Sequence, residues 1–172
     1  MKDATIYTIG HSTHSIESFI GMLQSFSIQV LADIRTMPGS NRYPHFNQDQ
    51  LAHSLADAGI TYIHFPDLGG RRKPRPDSHN TAWRSKSFMG YADYMKTPEF
   101  IAAIQRLADI ATEKPLAYMC SEAVWWRCHR ALVSDYLKAA SWKVVHITGV
   151  AKSTEHPYTS PAREAQGKLF YD

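Results

Sequence analysis

The sequence predicts an α/β protein: a single three-layer domain over residues 1–172, with a mostly parallel sheet of about five strands and helices on both faces. Two observations lead to this prediction. Short runs of β-branched and aromatic residues alternate with stretches whose apolar residues recur at helical spacing. Each stretch between two strand signals is long enough for a helical crossover, which is how parallel strands are connected.

Five segments have the β-branched and aromatic composition of buried strands. They lie at 5–9, 29–35, 61–65, 116–119 and 143–148. Ser15, Asn47 and Thr97 each stand where a helix N-cap is expected, directly before an apolar stripe of helical period. Further helical patterns surround Tyr91 and cover residues 130–140.

Two segments lack such signals. A basic stretch at about 66–89 is too long for an ordinary strand-to-helix connection, which indicates a functional or partly disordered loop. The tail from about residue 151 is polar and is expected to be irregular.

Composition excludes some classes of protein and leaves others open. The chain has 44% apolar and 20% charged residues and a formal net charge of +3, so an anionic partner is permitted but not required. No segment has the roughly 18 consecutive apolar residues of a membrane span. The N-terminus lacks the apolar stretch of a secretory signal. Two cysteines do not indicate a disulfide framework, so a cytoplasmic location is expected.

Polar and reactive residue types follow the predicted strands at their carboxyl ends, where open parallel sheets bind ligands. The first three such segments are Gly10-His11-Ser12, Asp33-Ile34-Arg35 with Tyr43 beyond it, and Leu68-Gly69-Gly70 with Arg71 and Arg72. The fourth strand is followed by Cys120-Ser121-Glu122 and then by Arg127-Cys128-His129-Arg130. We therefore expect His11, Arg35, Glu122 and Arg130 to converge on one cavity at this edge.

These motifs, in this order, resemble the domain-of-unknown-function family 488, most closely members that carry Ala-Val-Trp-Trp-Arg before Cys-His-Arg. The resemblance extends from about Ile6 to about His156. It implies a small α/β protein and indicates which positions of this chain correspond to the motifs of the family. It implies no reaction, because no activity is established for the family.

The segment from Cys120 to Arg130 holds both cysteines of the chain. If a helix begins near residues 125–127, Cys128 lies at its N-terminus between Arg127 and Arg130. Its thiol should then ionise below the free value of about 8.5, with His129 beside it as a further catalytic candidate. Alternatively, both cysteines are small core residues, and this fits Cys120 best because it ends an apolar strand.

Two more specific sites fit the segment poorly. The spacing from Cys120 to Arg127 is one residue longer than the phosphate cradle of thiolate phosphatases, and Glu122 would repel a phosphate. Zinc would need Cys120, Cys128, His129 and His11, whose spacing is unlike the close pairs of structural zinc sites. We expect no metal and no cofactor.

Asp33 and Glu122 follow buried strands, so each carboxylate needs a partner such as Arg35 or Arg127. One interpretation is a structural ion pair that ties strand ends together. The other makes a carboxylate the general base or nucleophile, with His11 as the acid and an arginine holding an anionic substrate. An enzyme of this kind would be a hydrolase or a transferase.

The basic loop is a second candidate surface. Between Arg71 and Lys86 there are six Lys or Arg residues and one acid, Asp77, with Trp83 among the nearby aromatics. Basic side chains interleaved with aromatic ones suit a single nucleic-acid strand. A solvated basic loop without a partner has the same composition.

Three functional hypotheses follow from the sequence. The first is binding, with or without chemical alteration, of an anionic ligand such as a nucleotide or nucleic acid at the carboxyl edge of the sheet. The second is a noncatalytic nucleic-acid-binding or adaptor protein that uses the basic loop. The third is a redox-sensing thiol protein. The substrate and the oligomeric state stay open.

Overall fold

The computed structural model describes residues 4–39 and 42–172. A six-stranded sheet lies at its centre, with strands β1 (Thr5–Gly10), β2 (Val30–Asp33), β3 (Thr61–His64), β4 (Leu116–Cys120), β5 (Lys143–Gly149) and β6 (Lys152–Glu155). The spatial order is β3-β2-β4-β1-β5-β6. The first five strands are parallel, and β6 pairs antiparallel with β5.

Five α-helices occur among the described residues, and they connect the parallel strands. They are α1 (Ile16–Ser25), α2 (Gln48–Asp57), α3 (Lys86–Tyr94), α4 (Pro98–Glu113) and α5 (Arg130–Ala139). Two predicted caps are present: Ser15 accepts a hydrogen bond from the Ser18 amide, and Thr97 accepts one from the Phe100 amide. None of these helices is long and apolar enough to cross a membrane.

Side chains alternate along each strand, so the sheet presents apolar side chains on both faces. Helices pack against both of these faces. On β4, Tyr118 points into a core shared with Phe100 of α4, while Met119 points into a second core shared with Phe19 of α1 and Leu51 of α2. The predicted three-layer α/β fold with a mostly parallel sheet is therefore confirmed.

Three segments differ in detail from the sequence-based expectation. A 3₁₀ turn occupies Trp125–Arg127, and α5 begins only at Arg130. In the segment expected as a long loop, a 3₁₀ turn covers Pro66–Leu68 and α3 begins at Lys86. The polar tail contains β6 and a hairpin of β7 (Arg163–Ala165) and β8 (Lys168–Phe170). These strands are short and mostly exposed, so they carry little of the apolar signal by which strands are recognised.

The strand order places a topological switch point between β1 and β4. The chain leaves β1 through α1 on one face of the sheet and leaves β4 through α5 on the other. The helices that follow these adjacent strands thus lie on opposite faces of the sheet, and the carboxyl edge at such a point is where ligands bind in open α/β sheets.

Two helical glycines provide a test of close packing on opposite faces. A Cβ at Gly90 in α3 would lie 2.1 Å from the Arg72 carbonyl oxygen, whereas a Cβ at Gly21 in α1 would meet nothing nearer than 3.9 Å. Gly21→Ala should therefore stabilise the protein by about 0.5–1 kcal/mol through helix propensity. Gly90→Ala should instead destabilise it by about 1–3 kcal/mol because the basic loop must move. Urea denaturation of both variants measures the difference, and equal effects would contradict the packing of the loop against α3.

Candidate functional site

An open cleft of about 870 Å³ lies at the carboxyl edge of the sheet. Its walls come from the loops after β1, β2 and β4, from the start of the basic loop and from one side of α3. The residues predicted from sequence that line it are His11, Arg35, Tyr43, Arg71, Glu122, Arg127, Cys128 and His129. Asp33, Arg72 and Arg130 do not line the cleft, and Cys120, which was expected to be a core residue, does.

The loops after β1 and β4 are joined through their backbones. The His11 amide donates to the Cys120 carbonyl at 3.0 Å, and the Ser12 amide donates to the Ser121 carbonyl at 2.9 Å. A Cβ on Gly10 would overlap the Glu122 carbonyl oxygen, so only glycine allows this approach. The Gly-His-Ser motif therefore sets the position of the cysteine-bearing loop.

Asp33 is a structural partner of Arg35. Its carboxylate accepts from Arg35 Nη2 at 2.7 Å and Nε at 2.9 Å, and it also accepts from the Tyr62 hydroxyl. Arg35 Nη2 donates in addition to the carbonyl of Phe46. With its oxygens occupied and its side chain fully buried, Asp33 matches the ion-pair interpretation rather than that of a general base.

His11 is held in one neutral form. Its Nδ1 donates to the Ser12 carbonyl at 2.9 Å, which leaves Nε2 as an acceptor 3.4 Å from Arg35 Nη1. Burial lowers the pKa of His11 to about 4, and the Arg35 charge acts in the same direction. Near neutral pH, Nε2 therefore carries no proton, and this geometry does not fit the expected role as an acid.

The two thiols lie together at the cleft. Cys120 and Cys128 are 1% and 8% exposed, and both are reduced. Burial alone would raise the pKa of Cys120, but its interaction with the Cys128 thiol and the Arg130 charge outweigh burial and lower that pKa to about 7. The same interaction, together with burial, raises the pKa of Cys128 well above its ordinary value. The expected lowering of the Cys128 pKa is therefore wrong: burial and the neighbouring Cys120 thiol raise it instead, and the two thiols titrate as a pair.

Cys128 also contacts its neighbour His129. Its Sγ lies 3.3 Å from His129 Nδ1 and accepts from the Arg130 amide at 3.5 Å. His129 Nε2 donates to the carbonyl of Ile34 at 3.1 Å, so Nδ1 is an acceptor. Burial lowers the pKa of His129 to about 4.

Arg130 lies behind the cysteine-bearing loop and is 1% exposed. Nη1 donates to Thr8 Oγ1 at 2.9 Å, and Nη2 donates to the carbonyls of Glu122 at 3.1 Å and Ala123 at 3.4 Å. Nε has no hydrogen-bond partner, and no carboxylate among residues 4–39 and 42–172 forms an ion pair with this guanidinium. The guanidinium is therefore a nearly inaccessible cation that shapes the loop.

A buried chain of hydrogen bonds continues from Thr8. Its Oγ1 lies 2.6 Å from His146 Nδ1, His146 Nε2 lies 2.8 Å from His156 Nδ1, and His156 Nε2 lies 2.8 Å from Asp135 Oδ1. The side-chain donors of Thr8, His146 and His156 are all satisfied if Arg130 donates to Thr8, Thr8 to His146, His146 to His156, and His156 to Asp135. The sequence reasoning missed this chain, because its members are far apart along the chain and follow no local pattern.

The two adjacent tryptophans have different environments. Trp125 stacks on His146 with ring centroids 4.9 Å apart and an angle of 4° between the ring planes. Trp126 is 56% exposed. Trp125 thus covers the histidine chain, and Trp126 lies at the surface.

The basic side chains divide between the cleft and a neighbouring groove. Arg71 and Arg127 are exposed at the cleft rim. Arg72 packs over the Tyr94 ring at 3.7 Å and donates to the carbonyl of Gly69, so it lines only the second groove. Trp83 is half-buried and packs edge to face against Phe88. The part of the chain that the structure describes contains no cluster of three metal-ligating side chains.

The fold and the cleft define a three-layer α/β protein with an arginine- and thiol-bearing site at the carboxyl edge of a parallel sheet. A family described as "Domain of unknown function DUF488" matches residues 15–137, and the chain belongs to this family. The match includes Asp33–Arg35 and both cysteines but not His11, His146 or His156. Comparison with curated proteins and with solved structures gave no match.

The buried histidines predict a loss of stability in acid. The pKa values of His11 and His129 are lowered from 6.5 to about 4, and burial lowers that of His146 to about 2. Between pH 6.5 and about 4 the unfolded chain binds protons that the folded protein does not, so the free energy of unfolding should fall as the pH is lowered. Each such histidine contributes a slope of up to about 1.4 kcal/mol per pH unit.

Urea denaturation at several pH values between 4 and 7 measures this slope. His146→Gln should reduce the dependence of the free energy of unfolding on pH by the contribution of one histidine, which is up to about 1.4 kcal/mol per pH unit. His53→Gln is the control, because the His53 side chain is 81% exposed. An unchanged slope in His146→Gln would contradict the assignment of a neutral His146.

Proposed function

We propose that this protein binds an anionic ligand of the nucleotide or nucleic-acid class in the cleft at the carboxyl edge of its sheet. The observation that carries the proposal is the charge of the lining. Four arginines (Arg35, Arg42, Arg71 and Arg127) face Glu122, which is the only carboxylate among the described lining residues. Because Asp33 neutralises Arg35, the excess positive charge of the lining comes from the arginines at the rim of the cleft.

The size of the cleft supports a ligand larger than an inorganic ion. A volume of about 870 Å³ falls in the range of roughly 300–1,000 Å³ that small-molecule sites occupy. Phe88 and Tyr43 line the same cleft and offer aromatic surface for a base. A phosphate-bearing nucleotide combines the charge and the planar group that this lining suits.

Arg71 is presented to the cleft by an uncommon backbone conformation. Its φ is 63°, in the left-handed region that non-glycine residues occupy at a cost of about 1–3 kcal/mol. No ion pair with a carboxylate of residues 4–39 or 42–172 involves Arg71 or Arg127. Both guanidinium groups therefore have donors available for a phosphate.

A second groove favours a nucleic-acid strand over a mononucleotide as the ligand. It has a volume of about 350 Å³, shares Arg71 with the cleft and is also lined by Lys73, Arg75 and Lys96. Arg75 is paired with Asp77, whereas Lys73 and Lys96 form no ion pair with any described residue. A strand whose terminal nucleotide lies in the cleft would place its next phosphates along these lysines.

Replacing rim arginines should weaken binding of a nucleoside monophosphate. Arg71→Ala and Arg127→Ala each remove one charge-assisted contact, so each should weaken the affinity by about 10-fold or more. Isothermal titration calorimetry measures the effect. Arg84→Ala is the matched control, because Arg84 is an exposed arginine outside the cleft. If wild type does not bind, or if all three variants bind equally, the cleft is not the anion site.

The second groove predicts the salt dependence of oligonucleotide binding. If Lys73 and Lys96 contact phosphates, the doubly substituted Lys73→Ala, Lys96→Ala variant should reduce the slope of log affinity against log salt by about 1.4 for a single strand. Its affinity for a mononucleotide should stay unchanged. Fluorescence anisotropy with a short labelled single strand measures the slope, and an unaltered slope would restrict the ligand to the cleft.

A further inference from the structure

We propose that Cys128 and His129 form a nucleophile and its general base, and that this pair transfers acyl groups in the cleft. The substrate class is a carboxylic ester or thioester that carries an anionic group. The anionic group rests on the proposed function, whereas the reactivity of the pair does not. Both side chains line the cleft, so a ligand held by the rim arginines lies beside them.

The thiol and the imidazole are in contact. Cys128 Sγ lies 3.3 Å from His129 Nδ1, a distance at which the thiol can donate to the ring nitrogen. His129 Nε2 donates to the carbonyl of Ile34 at 3.1 Å, so Nδ1 keeps its lone pair for the thiol proton. A nucleophile, a base within hydrogen-bonding reach and a third group that orients the base are the parts of an activated nucleophile.

Residues distant in sequence fix the imidazole of His129. The Tyr91 ring lies 4.9 Å from it between centroids, and the Tyr91 hydroxyl is itself held by the carbonyl of Leu68 at 2.7 Å. A Cβ on Gly70 would lie 3.0 Å from His129 Nδ1, so the loop after β3 passes directly beside the ring. The pairing of Cys128 with His129 is therefore enforced by α3 and by the loops after β2 and β3, and not by chain adjacency alone.

The contacts of the two sulfur atoms favour Cys128 over Cys120 as the nucleophile. Cys120 Sγ donates to the carbonyl of Glu122 at 3.6 Å, and this residue is 1% exposed. Cys128 Sγ instead accepts from the Arg130 amide at 3.5 Å, and this residue is 8% exposed. The accepted hydrogen bond comes from the first turn of α5, where the helix dipole stabilises negative charge that develops on the sulfur during attack.

The pair rests in its neutral form. The neighbouring Cys120 thiol and burial raise the pKa of Cys128 well above its ordinary value, so the thiol keeps its proton until attack. Burial lowers the pKa of His129 to about 4, so the imidazole is free to accept that proton near neutral pH. Three other charged or titratable groups face His129: Arg72 in the basic loop, Tyr91 on α3 and Arg130 on α5. None of the three titrates near neutral pH, since burial raises the pKa of the tyrosine.

The proposed step conserves atoms and electrons. As the Cys128 sulfur forms a bond to the carbonyl carbon of the substrate, its proton passes to His129 Nδ1. The bond from that carbon to the leaving oxygen or sulfur then breaks, the leaving group takes the electron pair, and His129 returns the proton to it. The product is a thioester on Cys128. Transfer of the acyl group to water releases a carboxylic acid and restores the thiol.

Acyl transfer from 4-nitrophenyl acetate tests the pair. Release of 4-nitrophenolate should accompany the addition of an acetyl group to the folded protein, and peptide mapping at acidic pH should place this group on Cys128. Cys128→Ala should abolish the reaction, whereas Cys120→Ser should keep it, and circular dichroism checks that both variants are folded. Acetylation of Cys120 in place of Cys128, or of neither thiol before denaturation, would overturn the proposal.

The pH dependence of the acylation rate tests His129 as the base. The Cys120→Ser background is used, because Cys128 is then the only thiol of the chain. With the base present, the logarithm of the rate should change little between pH 6 and 8. His129→Gln should lower the rate at pH 6 by about 100-fold or more. The logarithm of its rate should rise by about one per pH unit, because only the thiolate then reacts. A slope of one in both proteins would show that His129 is not the base.

Two glycines of the cleft lining test the position of the imidazole while both members of the pair stay in place. Gly70→Ala would bring a Cβ within 3.0 Å of His129 Nδ1, so displacement of the ring should slow acylation by about 10-fold or more. Gly39→Ala is the matched control, because a Cβ there meets nothing within 4 Å. Equal rates in the two variants would contradict the role of the fixed imidazole.

A second ester separates this proposal from the proposed function. The mono-4-nitrophenyl ester of adipic acid carries a carboxylate, which 4-nitrophenyl acetate lacks. The ratio of the two acylation rates should exceed that for N-acetylcysteine, because the rim arginines attract the anionic ester, and Arg71→Ala should reduce this ratio. Acylation of Cys128 with no preference for the anionic ester would support the nucleophile and its base while contradicting the anion site.

Discussion

The buried guanidinium of Arg130 is the interaction on which the arrangement of the site depends. It joins three elements that are distant in sequence: Thr8 on β1, the carbonyls of Glu122 and Ala123 after β4, and the start of α5. A cation at this depth is stable only while each of these contacts is kept. The loop after β4 therefore has little freedom, and Cys120 and Cys128 lie beside each other as a consequence.

The same cation connects the cleft to a buried network on the face of the sheet that α5 covers. Through Thr8 it begins a chain of hydrogen bonds that includes His146 and His156 and ends at Asp135 on α5. Trp125, from the loop that Arg130 holds, stacks on His146 and closes the chain from solvent. The order of the site thus relies on β5 and on the segment after β6, neither of which lies within the matched family region.

The cleft combines groups that the fold has made neutral with groups that it leaves charged. Burial keeps His11 and His129 unprotonated near neutral pH, and Asp33 neutralises Arg35. The charge left to meet a ligand comes from rim arginines and from one exposed carboxylate. Of the residues expected to be catalytic, Asp33 is the one that forms an ion pair at the edge of the sheet, with Arg35 as its partner.

The sequence by itself determined the layers of the fold, because alternating strand and helix periods are local and the crossover rule converts them into a parallel sheet. It also predicted that His11, Arg35, Glu122 and Arg130 converge at one edge, since the carboxyl ends of parallel strands share that edge, and all of these except Arg130 line the cleft. Only the tertiary structure decided which of these groups face the cleft and which are held by buried partners. Those outcomes depend on burial and on partners such as Arg130, whose contacts with Thr8 across 122 positions of sequence leave no local trace.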